Sequence, residues 1–349
     1  MNTSTKNESS DLKIIDGSQG EGGGQILRSS LALAMCTGTP IRIENIRAGR
    51  KKPGLMRQHL MCVLASQAVC GAKVEGAELR STQLTFEPGE VKSGDYEFAI
   101  DTAGSTCLVF QTVLPALMMA EGVSTLKLSG GTHNMMAPSF DFIKRSFLPV
   151  MQSMGIDVSV TLDAYGFFPS GGGEWLATIK PASEVGTLAL SERSGMKSQL
   201  AIVTQAKIDA HVAERELAVV KKKLHFSDDA LIYNAVDAAS AGNILSIQLG
   251  SADVTEVIEA IGQRGVSAER VAGQAIRAVQ RYLKSDAVVG EHLCDQLLLP
   301  MALGKGGRFT TLKPTLHTLT NAEVIQKFID CDITITECSK DCFEVIVEK

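Results

Sequence analysis

The chain has 349 residues, of which 44% are hydrophobic, enough for a full core and more length than one core usually organises. Its longest apolar stretches, at 108–120 and 297–303, fall short of the roughly 18 to 20 residues that cross a bilayer, which excludes a membrane-spanning protein. The net charge of -5 excludes a general attraction to nucleic acid or to anionic membranes, so any contact with a polyanion must be local.

The first residues and the cysteines indicate where the protein works. Residues 1–12 are polar and charged, without the apolar segment of a secretory signal, and we expect them to form a disordered tail. Eight cysteines are scattered without the paired spacing of metal ligands, which is typical of a reducing compartment. We therefore expect a cytoplasmic protein.

One order of predicted elements occurs three times, beginning at Gly24, Gly104 and Gly290. Apolar periodicity predicts a helix, a strand, a second helix and a further segment in each copy. Their ranges are 26–35, 41–43, 55–69 and 71–74, then 108–119, 125–128, 140–154 and 155–158, then 293–303, 308–312, 321–328 and 332–336. The alternative is that the third copy is spurious and the chain is one continuous two-domain protein.

The spacing of the copies locates an insertion. Gly104 follows Gly24 by 80 residues, whereas Gly290 follows Gly104 by 186. The additional residues fall within 185–283, which contain predicted strands at 199–206 and 244–249 and a helix that Ser267 can cap, with Leu283 at the end of its apolar face. We predict an inserted α/β domain at 185–283 and a main domain formed by 13–184 together with 284–349.

A glycine-rich segment at 17–24 joins the end of a strand to the start of a helix. Consecutive glycines let backbone N–H groups approach an anion, although tight turns explain such glycines as often. No Gly-Lys-Ser/Thr follows, which excludes a standard P-loop. Glu21 within this segment would repel a phosphate unless a divalent cation lay between them, so we interpret it as a candidate metal ligand.

Five cations lie close together in the next loop of this otherwise acidic chain: Arg47, Arg50, Lys51, Lys52 and Arg57. Arginine forks suit phosphate oxygens, and the Pro-Gly break at 53–54 favours a loop that leads into a helix. We favour phosphate binding here over a solvated run of charges, which remains the alternative.

His317 is the histidine whose position indicates chemistry. It lies in the third copy where the first copy has its basic loop, after a loop marked by Pro314 and before Asn321, which can cap the next helix. A neutral imidazole there could attack a phosphorus centre and form a phosphoramidate, although spacing alone favours a structural histidine.

Seven segments, in the same order, resemble RNA 3'-terminal phosphate cyclases from about residue 14 to the C-terminus. They are GSQGEGGGQILR (17–28), IRAGRKKPGLMRQHL (46–60), GSTCLVFQTVLPAL (104–117), SGGT (129–132), HVAERE (211–216), LCDQLLLPMA (293–302) and HTLTN (317–321). The resemblance implies an α/β (α+β) fold of three βαβαββ units around a pseudo-threefold axis, with a smaller α/β domain inserted before the third. This agrees with the spacing of the copies.

The resemblance also implies an enzyme that uses ATP and a divalent metal, Mg²⁺ or Mn²⁺, on RNA with a 3'-terminal phosphate. Its histidine takes AMP from ATP and releases pyrophosphate, and AMP then passes to the RNA 3'-phosphate. The neighbouring 2'-hydroxyl finally expels AMP and leaves a 2',3'-cyclic phosphate.

The family's functional residues carry over to matching positions. The nucleophile would be His317 and the metal-binding glutamate Glu21. The contacts to RNA or phosphate would be Arg28, Arg47, Arg50 and Gln58. The contacts to the nucleotide would be Gln111, Pro138, His292, Leu293, Cys294, Asp295 and Gln296. Without the resemblance, the stretch at 292–296 indicates only an ordinary helix start.

Three positions depart from the family pattern. His292 replaces a tyrosine that is expected to stack on adenine, so nucleotide affinity or base selectivity should differ. Lys313 replaces the first histidine of a His-Pro-Ser-x-His pattern, and His133 replaces an Asp or Asn.

Two other classes of protein are alternatives. A noncatalytic relative that acts in ribosome assembly would lack the catalytic histidine, whereas this chain keeps His317, Glu21, Arg28 and Gln111. An enolpyruvyl transferase would need six repeated units in two lobes, and three units with an insert do not supply them.

Overall fold

A computed structural model describes residues 12–349. The predicted tail at 1–12 lies outside the described residues apart from Leu12, which is exposed. The fold is mixed α/β, and the described residues form four small sheets of four strands each. None of the helices within 12–349 is both long and apolar enough to span a membrane.

The first sheet comes from the N-terminal part of the chain. Its elements are β1 (Lys13–Asp16), α1 (Gly24–Thr37), β2 (Ile41–Glu44), α2 (Arg57–Cys70), β3 (Lys73–Glu75) and β4 (Leu84–Glu87). The strand order is β1-β2-β4-β3, with β1 parallel to β2 and the other pairs antiparallel. Gly38 ends α1 in the left-handed conformation (φ 67°), which glycine adopts without steric cost.

The second sheet has the same order of elements and the same pairing. Its elements are β5 (Asp95–Ala99), α3 (Thr106–Leu117), β6 (Ser124–Gly130), α4 (Phe140–Phe142), a π-helical turn at Ile143–Phe147, α5 (Leu148–Ser153), β7 (Val158–Ala164) and β8 (Gly173–Ile179). The order is β5-β6-β8-β7, again with only the first pair parallel. Trp175 on β8 is fully buried and donates its indole N–H to Thr106 Oγ1 at the start of α3, 2.8 Å away.

The third sheet is interrupted along the chain. It contains β9 (Leu188–Leu190), α8 (Glu291–Leu303), β14 (Gly307–Thr311), α9 (Leu316–Gln326), β15 (Asp332–Ser339) and β16 (Cys342–Glu348), in the strand order β9-β14-β16-β15. β9 lies inside the segment 185–283 that was expected to form the insertion, yet it pairs in parallel with β14. β9 therefore belongs to the third sheet, and the segment that separates it from α8 begins after Leu190.

The fourth sheet belongs to the segment between β9 and α8. Its elements are β10 (Ser198–Ala206), α6 (Ala210–Leu224), a 3-10 turn at Asp228–Ala230, β11 (Leu231–Ala235), β12 (Gly242–Gly250), β13 (Thr255–Ile261) and α7 (Ala268–Lys284), with the order β11-β10-β12-β13. Ser267 caps α7 as the sequence predicts, accepting the Arg270 N–H at 3.4 Å. Leu283, expected on the buried face of this helix, is exposed.

β13 connects the fourth sheet to the main core. Val254 and Val257 join the core that the other three sheets and their helices build. Two carboxylates of β13 accept hydrogen bonds across the same junction. Glu259 Oε1 accepts from Ser139 Oγ at 2.7 Å, and Glu256 Oε2 accepts from the Gly290 N–H at 3.0 Å. The junction is therefore apolar, with two hydrogen-bonded carboxyl groups inside it.

The stability of the protein should fall as the pH rises from about 5 to about 8, partly through Glu256. Burial raises the pKa of Glu256 to about 8; the Gly290 N–H opposes this and Glu291 adds to it. The folded state thus keeps a proton that the unfolded state releases near the ordinary value of 4.5, so folding loses free energy between the two pKa values.

Replacing Glu256 with glutamine keeps an acceptor for the Gly290 N–H but removes the titration. We expect Glu256→Gln to gain roughly 1–3 kcal/mol over the wild type between these pH values, measured by chemical denaturation at each pH. The control is Glu214→Gln on the exposed face of α6. Parallel stability curves for wild type and Glu256→Gln would contradict the prediction.

Candidate functional site

Helix α9 packs against both α1 and α8, which places the glycine-rich segment beside residues of the third copy. Ser29 on α1 donates its hydroxyl to Asn321 Oδ1 on α9 at 2.6 Å. The Asn321 amide donates in turn to the backbone oxygen of Asp295 on α8 at 2.7 Å. Asn321 is therefore a buried link between three helices and not the predicted helix cap.

Glu21 projects from the glycine-rich segment into this junction. Its carboxylate forms an ion pair with Arg50, and its Oε1 lies 3.8 Å from His317 Nε2. Its backbone N–H donates to Thr320 Oγ1 at 3.0 Å. The side chain is only 7% exposed, and within the described residues Oε2 has no hydrogen-bond partner. A Cβ at Gly23 would overlap the Glu21 carboxylate and the Arg50 guanidinium, so a larger residue there would displace the ends of these two side chains.

His317 lies in the first turn of α9. The helix begins at Leu316, earlier than the predicted start at 321, because Thr315 Oγ1 accepts the Thr318 N–H at 3.3 Å. The imidazole is 47% exposed and therefore accessible to a ligand. Burial and the nearby positive charges of Arg28 and Arg50 lower its pKa, which keeps the ring neutral and nucleophilic near pH 7.

The three arginines and Gln58 have two kinds of role. Arg28 donates to Gln25 Oε1 at 2.9 Å, and, with Arg50, it acts electrostatically on His317. Arg47 donates to the backbone oxygens of residues 52 and 54, at 2.8 Å each, and thereby closes the basic loop. Gln58 accepts the Ser105 N–H at 3.1 Å and joins α2 to the start of α3. In the structure, Arg47 and Gln58 therefore hold loops, whereas Arg28 and Arg50 surround the histidine.

His59 is a residue that the sequence analysis did not assign. It is buried, and burial together with the charges of Arg28, Arg47 and Arg50 lowers its pKa to about 3. Its Nδ1 accepts the Met56 N–H at 3.4 Å. The sequence feature that could have identified His59 is its position directly after Gln58 in the basic segment. Because its ring is neutral, His59 does not add to the positive charge of these three arginines.

The expected nucleotide-binding stretch forms the start of α8. Gln111 on α3 donates to Gln296, which donates to the backbone oxygen of His292 at 2.8 Å. The His292 side chain is 75% exposed. Burial raises the pKa of Asp295 to about 7, and the positive charge of Arg28 opposes this shift. Hydrogen bonds thus connect Gln111, Gln296 and His292, and the neighbouring Asp295 lies within the electrostatic influence of Arg28.

Three further predicted contacts are placed differently. Leu293 and Cys294 are fully buried in the core, and Cys294 accepts a weak hydrogen bond from Thr318. Pro138 is half-buried in the loop before α4, and the following Ser139 binds Glu259 of the fourth sheet. The described hydrogen bonds do not connect this loop to His317.

His133 holds the loop that contains Pro138. Its ring is buried between Tyr165 and Phe167, with centroids at 5.2 and 5.6 Å. Nδ1 lies 2.8 Å from Thr132 Oγ1, and Nε2 lies 3.2 Å from Asp141 Oδ2. The histidine thus satisfies two polar partners within a buried aromatic cluster.

The site offers a cation one buried carboxylate oxygen, so a bound ligand or water would have to supply the other coordinating atoms. No group of three or more His, Cys, Asp or Glu side chains within residues 12–349 could hold a metal ion. The unpartnered Glu21 Oε2 nevertheless fits a hard cation. Mg²⁺ commonly takes one or two carboxylates and completes its shell with water and phosphate oxygens.

Fold and site together define a mixed α/β protein with a neutral histidine in a cationic, anion-attracting setting. A family model described as RNA 3'-terminal phosphate cyclase matches residues 19–335. The chain is also 47% identical over 333 residues to the RNA 3'-terminal phosphate cyclase of Koribacter versatilis (strain Ellin345), covering 95% of this chain and 94% of that protein. The chain belongs to the RNA 3'-terminal phosphate cyclase family, which confirms the resemblance found in the sequence.

Among solved structures, the chain is similar to the enolpyruvyl transferase NikO from Streptomyces tendae, with a TM-score of 0.39 and 12% identity. The match covers 96% of this chain and 48% of that one, so the chain spans about half the length of the transferase.

Proposed function

We propose that this chain is an ATP-dependent RNA 3'-phosphate cyclase that works through an adenylylated His317. The observation that carries the proposal is the exposed, neutral imidazole beside Glu21 and under the field of Arg28 and Arg50. A neutral imidazole can act as a covalent nucleophile. Nearby positive charges stabilise the anionic phosphate groups that it would attack.

Three displacements at phosphorus account for the reaction. An imidazole nitrogen of His317 bonds to the α-phosphorus of ATP, and the bond to pyrophosphate breaks. An oxygen of the RNA 3'-phosphate then takes the adenylyl group, which breaks the phosphorus–nitrogen bond. The 2'-hydroxyl oxygen finally bonds to the RNA phosphorus, loses its proton and displaces AMP. Because this hydroxyl lies on the same ribose, ring closure benefits from a high effective molarity.

The residues around His317 supply charge and position. Arg28 on α1 and Arg50 in the basic loop neutralise phosphate oxygens, while Arg47 closes that loop and Gln58 holds the start of α3. A divalent cation, Mg²⁺ or Mn²⁺, held by Glu21 would supply Lewis-acid neutralisation of phosphate charge. Glu21 Oε2 is buried without a partner among residues 12–349, and the free-energy cost of that arrangement supports this assignment.

We assign the nucleotide to the surface at the start of α8. We assign the adenine side to the exposed ring of His292 and the polar contacts to Gln111, Asp295 and Gln296. Leu293 and Cys294 would then act by fixing the helix that presents these groups, and Pro138 by bounding the site from the α4 loop.

The matching topology of the first three sheets supports a pseudo-threefold arrangement of βαβαββ units. We propose that about residues 191–284 form an inserted domain between the first strand and the first helix of the third unit. The free thiols of the eight cysteines support the expectation of a reducing, cytoplasmic location.

The test is to incubate the purified chain with ATP, Mg²⁺ and an RNA oligonucleotide that ends in a 3'-phosphate. We expect phosphatase-resistant ends that are identified as 2',3'-cyclic phosphates by mass. An RNA with a 2'-O-methyl group on its last ribose should stop as the adenylylated end. A folded protein that forms neither product with Mg²⁺ or Mn²⁺ would contradict the proposed function.

A further inference from the structure

A basic cleft lies in the inserted segment, between α6 and α7. It has a volume of about 670 Å³ and a floor of Ala218, Val219 and Ile276. A second, smaller cleft shares Arg277 and Gln280 with it and continues along α7. The cations that line the two clefts are Arg215, Lys222, Lys223, Arg277, Arg281 and Lys284. Glu269 and Asp341 are the acidic residues that line them, so the strip is strongly positive in a chain of net charge -5.

Helix dipoles explain only part of this charge. Basic residues in the last turn of a helix interact favourably with its negative end, which accounts for Lys222, Lys223 and Lys284. Arg215 lies in the first half of α6, and Arg277 lies seven residues before the end of α7. Two hydrogen bonds of 2.7 Å to Glu269 orient Arg215, so the orientation of Arg277 towards the cleft is the one that needs another reason.

Most of these cations also lack an anionic partner from the protein. In the described part of the chain, Arg215 pairs with Glu269 and Arg281 with Glu291, whereas Lys222, Lys223 and Arg277 form no salt bridge. Their side chains are exposed at the rim. A rim of unpaired cations over an apolar floor suits an extended polyanion, because its charges meet the rim while its less polar parts cover the floor.

The strip leads to the candidate site. Arg281 near the end of α7 donates to Glu291 Oε1 at 2.9 Å. Glu291 opens α8, and the next residue is His292, which belongs to the candidate nucleotide surface. From Glu269 to Lys284 the strip follows α7 for about 22 Å, a length that several consecutive nucleotides can occupy.

We propose that the strip between α6 and α7 binds the sugar-phosphate backbone of the RNA whose 3' end lies at His317. This inference rests on the proposed function. None of the residues that line the two clefts is aromatic, so we expect the main contacts to be to phosphates and to carry little sequence preference.

The test uses the full-length double variant Lys222→Glu/Arg277→Glu, because neither side chain forms a salt bridge with any residue in 12–349 that its replacement would break. The matched control is Lys73→Glu/Lys92→Glu, which makes the same charge change at exposed positions in the first unit and the loop after it. Cyclisation is measured on a 3'-phosphorylated trinucleotide and on a 3'-phosphorylated RNA of about 30 nucleotides.

In the wild type and the control, KM should be lower for the long RNA than for the trinucleotide. In the cleft variant we expect KM for the long RNA to rise at least about tenfold, with kcat and trinucleotide activity unchanged. Losing two phosphate contacts should also reduce the slope of log affinity against log salt by about 1.4. Equal KM values for the cleft variant and the control on long RNA would overturn the proposal while leaving the proposed function intact.

RNA binding tests the role of the cleft even if the protein does not cyclise RNA. Fluorescence anisotropy of the long RNA carrying a 3'-hydroxyl needs no chemical step. If the wild type cyclises neither substrate but binds this RNA more tightly than the cleft variant does, the cleft assignment holds and the cyclase function fails. If both proteins bind it equally, the cleft assignment fails.

Discussion

Replacing His317 with alanine should abolish formation of the enzyme–AMP adduct and still permit cyclisation of an RNA whose 3'-phosphate is already adenylylated. The imidazole takes part only in the first two displacements, whereas ring closure requires the 2'-hydroxyl and a good leaving group. We expect overall cyclisation from ATP to fall by roughly 10⁵-fold or more, as is typical when a covalent nucleophile is removed.

The measurement uses ATP labelled at its α-phosphorus, incubated with the protein and Mg²⁺ without RNA and followed by denaturing electrophoresis. Wild-type protein should retain a label that is lost in acid and kept in alkali. The control is His225→Asn, which removes an exposed histidine that caps α6 in the left-handed conformation, a conformation that asparagine tolerates. If His317→Ala is folded but also fails on pre-adenylylated RNA, the histidine does more than hold AMP.

Local patterns predicted most of the regular structure. The helix expected at 26–35 is α1 at 24–37, and the strand expected at 199–206 is β10 at 198–206. Both are long or strongly patterned segments, in which apolar spacing decides the outcome. The spacing of the copies also indicated an insertion, because residues added to a repeated order change the count without disturbing the flanking elements.

The errors lie where distant parts of the chain meet. β9 has three residues and becomes a strand only through pairing with β14, more than a hundred residues later. Asn321 was expected as a cap because its type suits one, yet its partners are Ser29 and the Asp295 backbone. Neither partner is near it in sequence, and no local rule identifies such a contact.

In the candidate site, too, local features could be predicted from the sequence and contacts between distant residues could not. Sequence could place Glu21 within a glycine run and Arg50 in a basic loop, but their ion pair requires two loops of the first unit to meet. The resemblance marked Leu293 and Cys294 together with His292 and Gln296, and only the helix turn separates the buried pair from the accessible one. The lowered pKa of His59 could not be predicted from the sequence, because it arises first from the burial of its ring in the fold and then from the positive charges of three arginines.

The second large effect is expected for Glu21→Ala. The metal concentration that gives half-maximal self-adenylylation should rise roughly 10-fold to 100-fold, because the variant loses the one buried carboxylate oxygen that has no protein partner among the described residues. Metal titrations at fixed ATP, read by the same labelling assay, measure this. The control is Glu44→Ala, which removes a half-buried carboxylate paired with Arg42 on β2.

The affinity for ATP separates a lost metal ligand from a damaged site. Glu21 neutralises Arg50 in the structure, so its removal leaves that guanidinium available to phosphate oxygens. At saturating metal, KM for ATP should therefore stay equal to that of the wild type or fall, even though the metal requirement rises. A general disruption of the glycine-rich segment would raise both quantities together. Identical metal titration curves for Glu21→Ala and the wild type would remove Glu21 as a ligand and leave its carboxylate the single role of holding Arg50 beside His317.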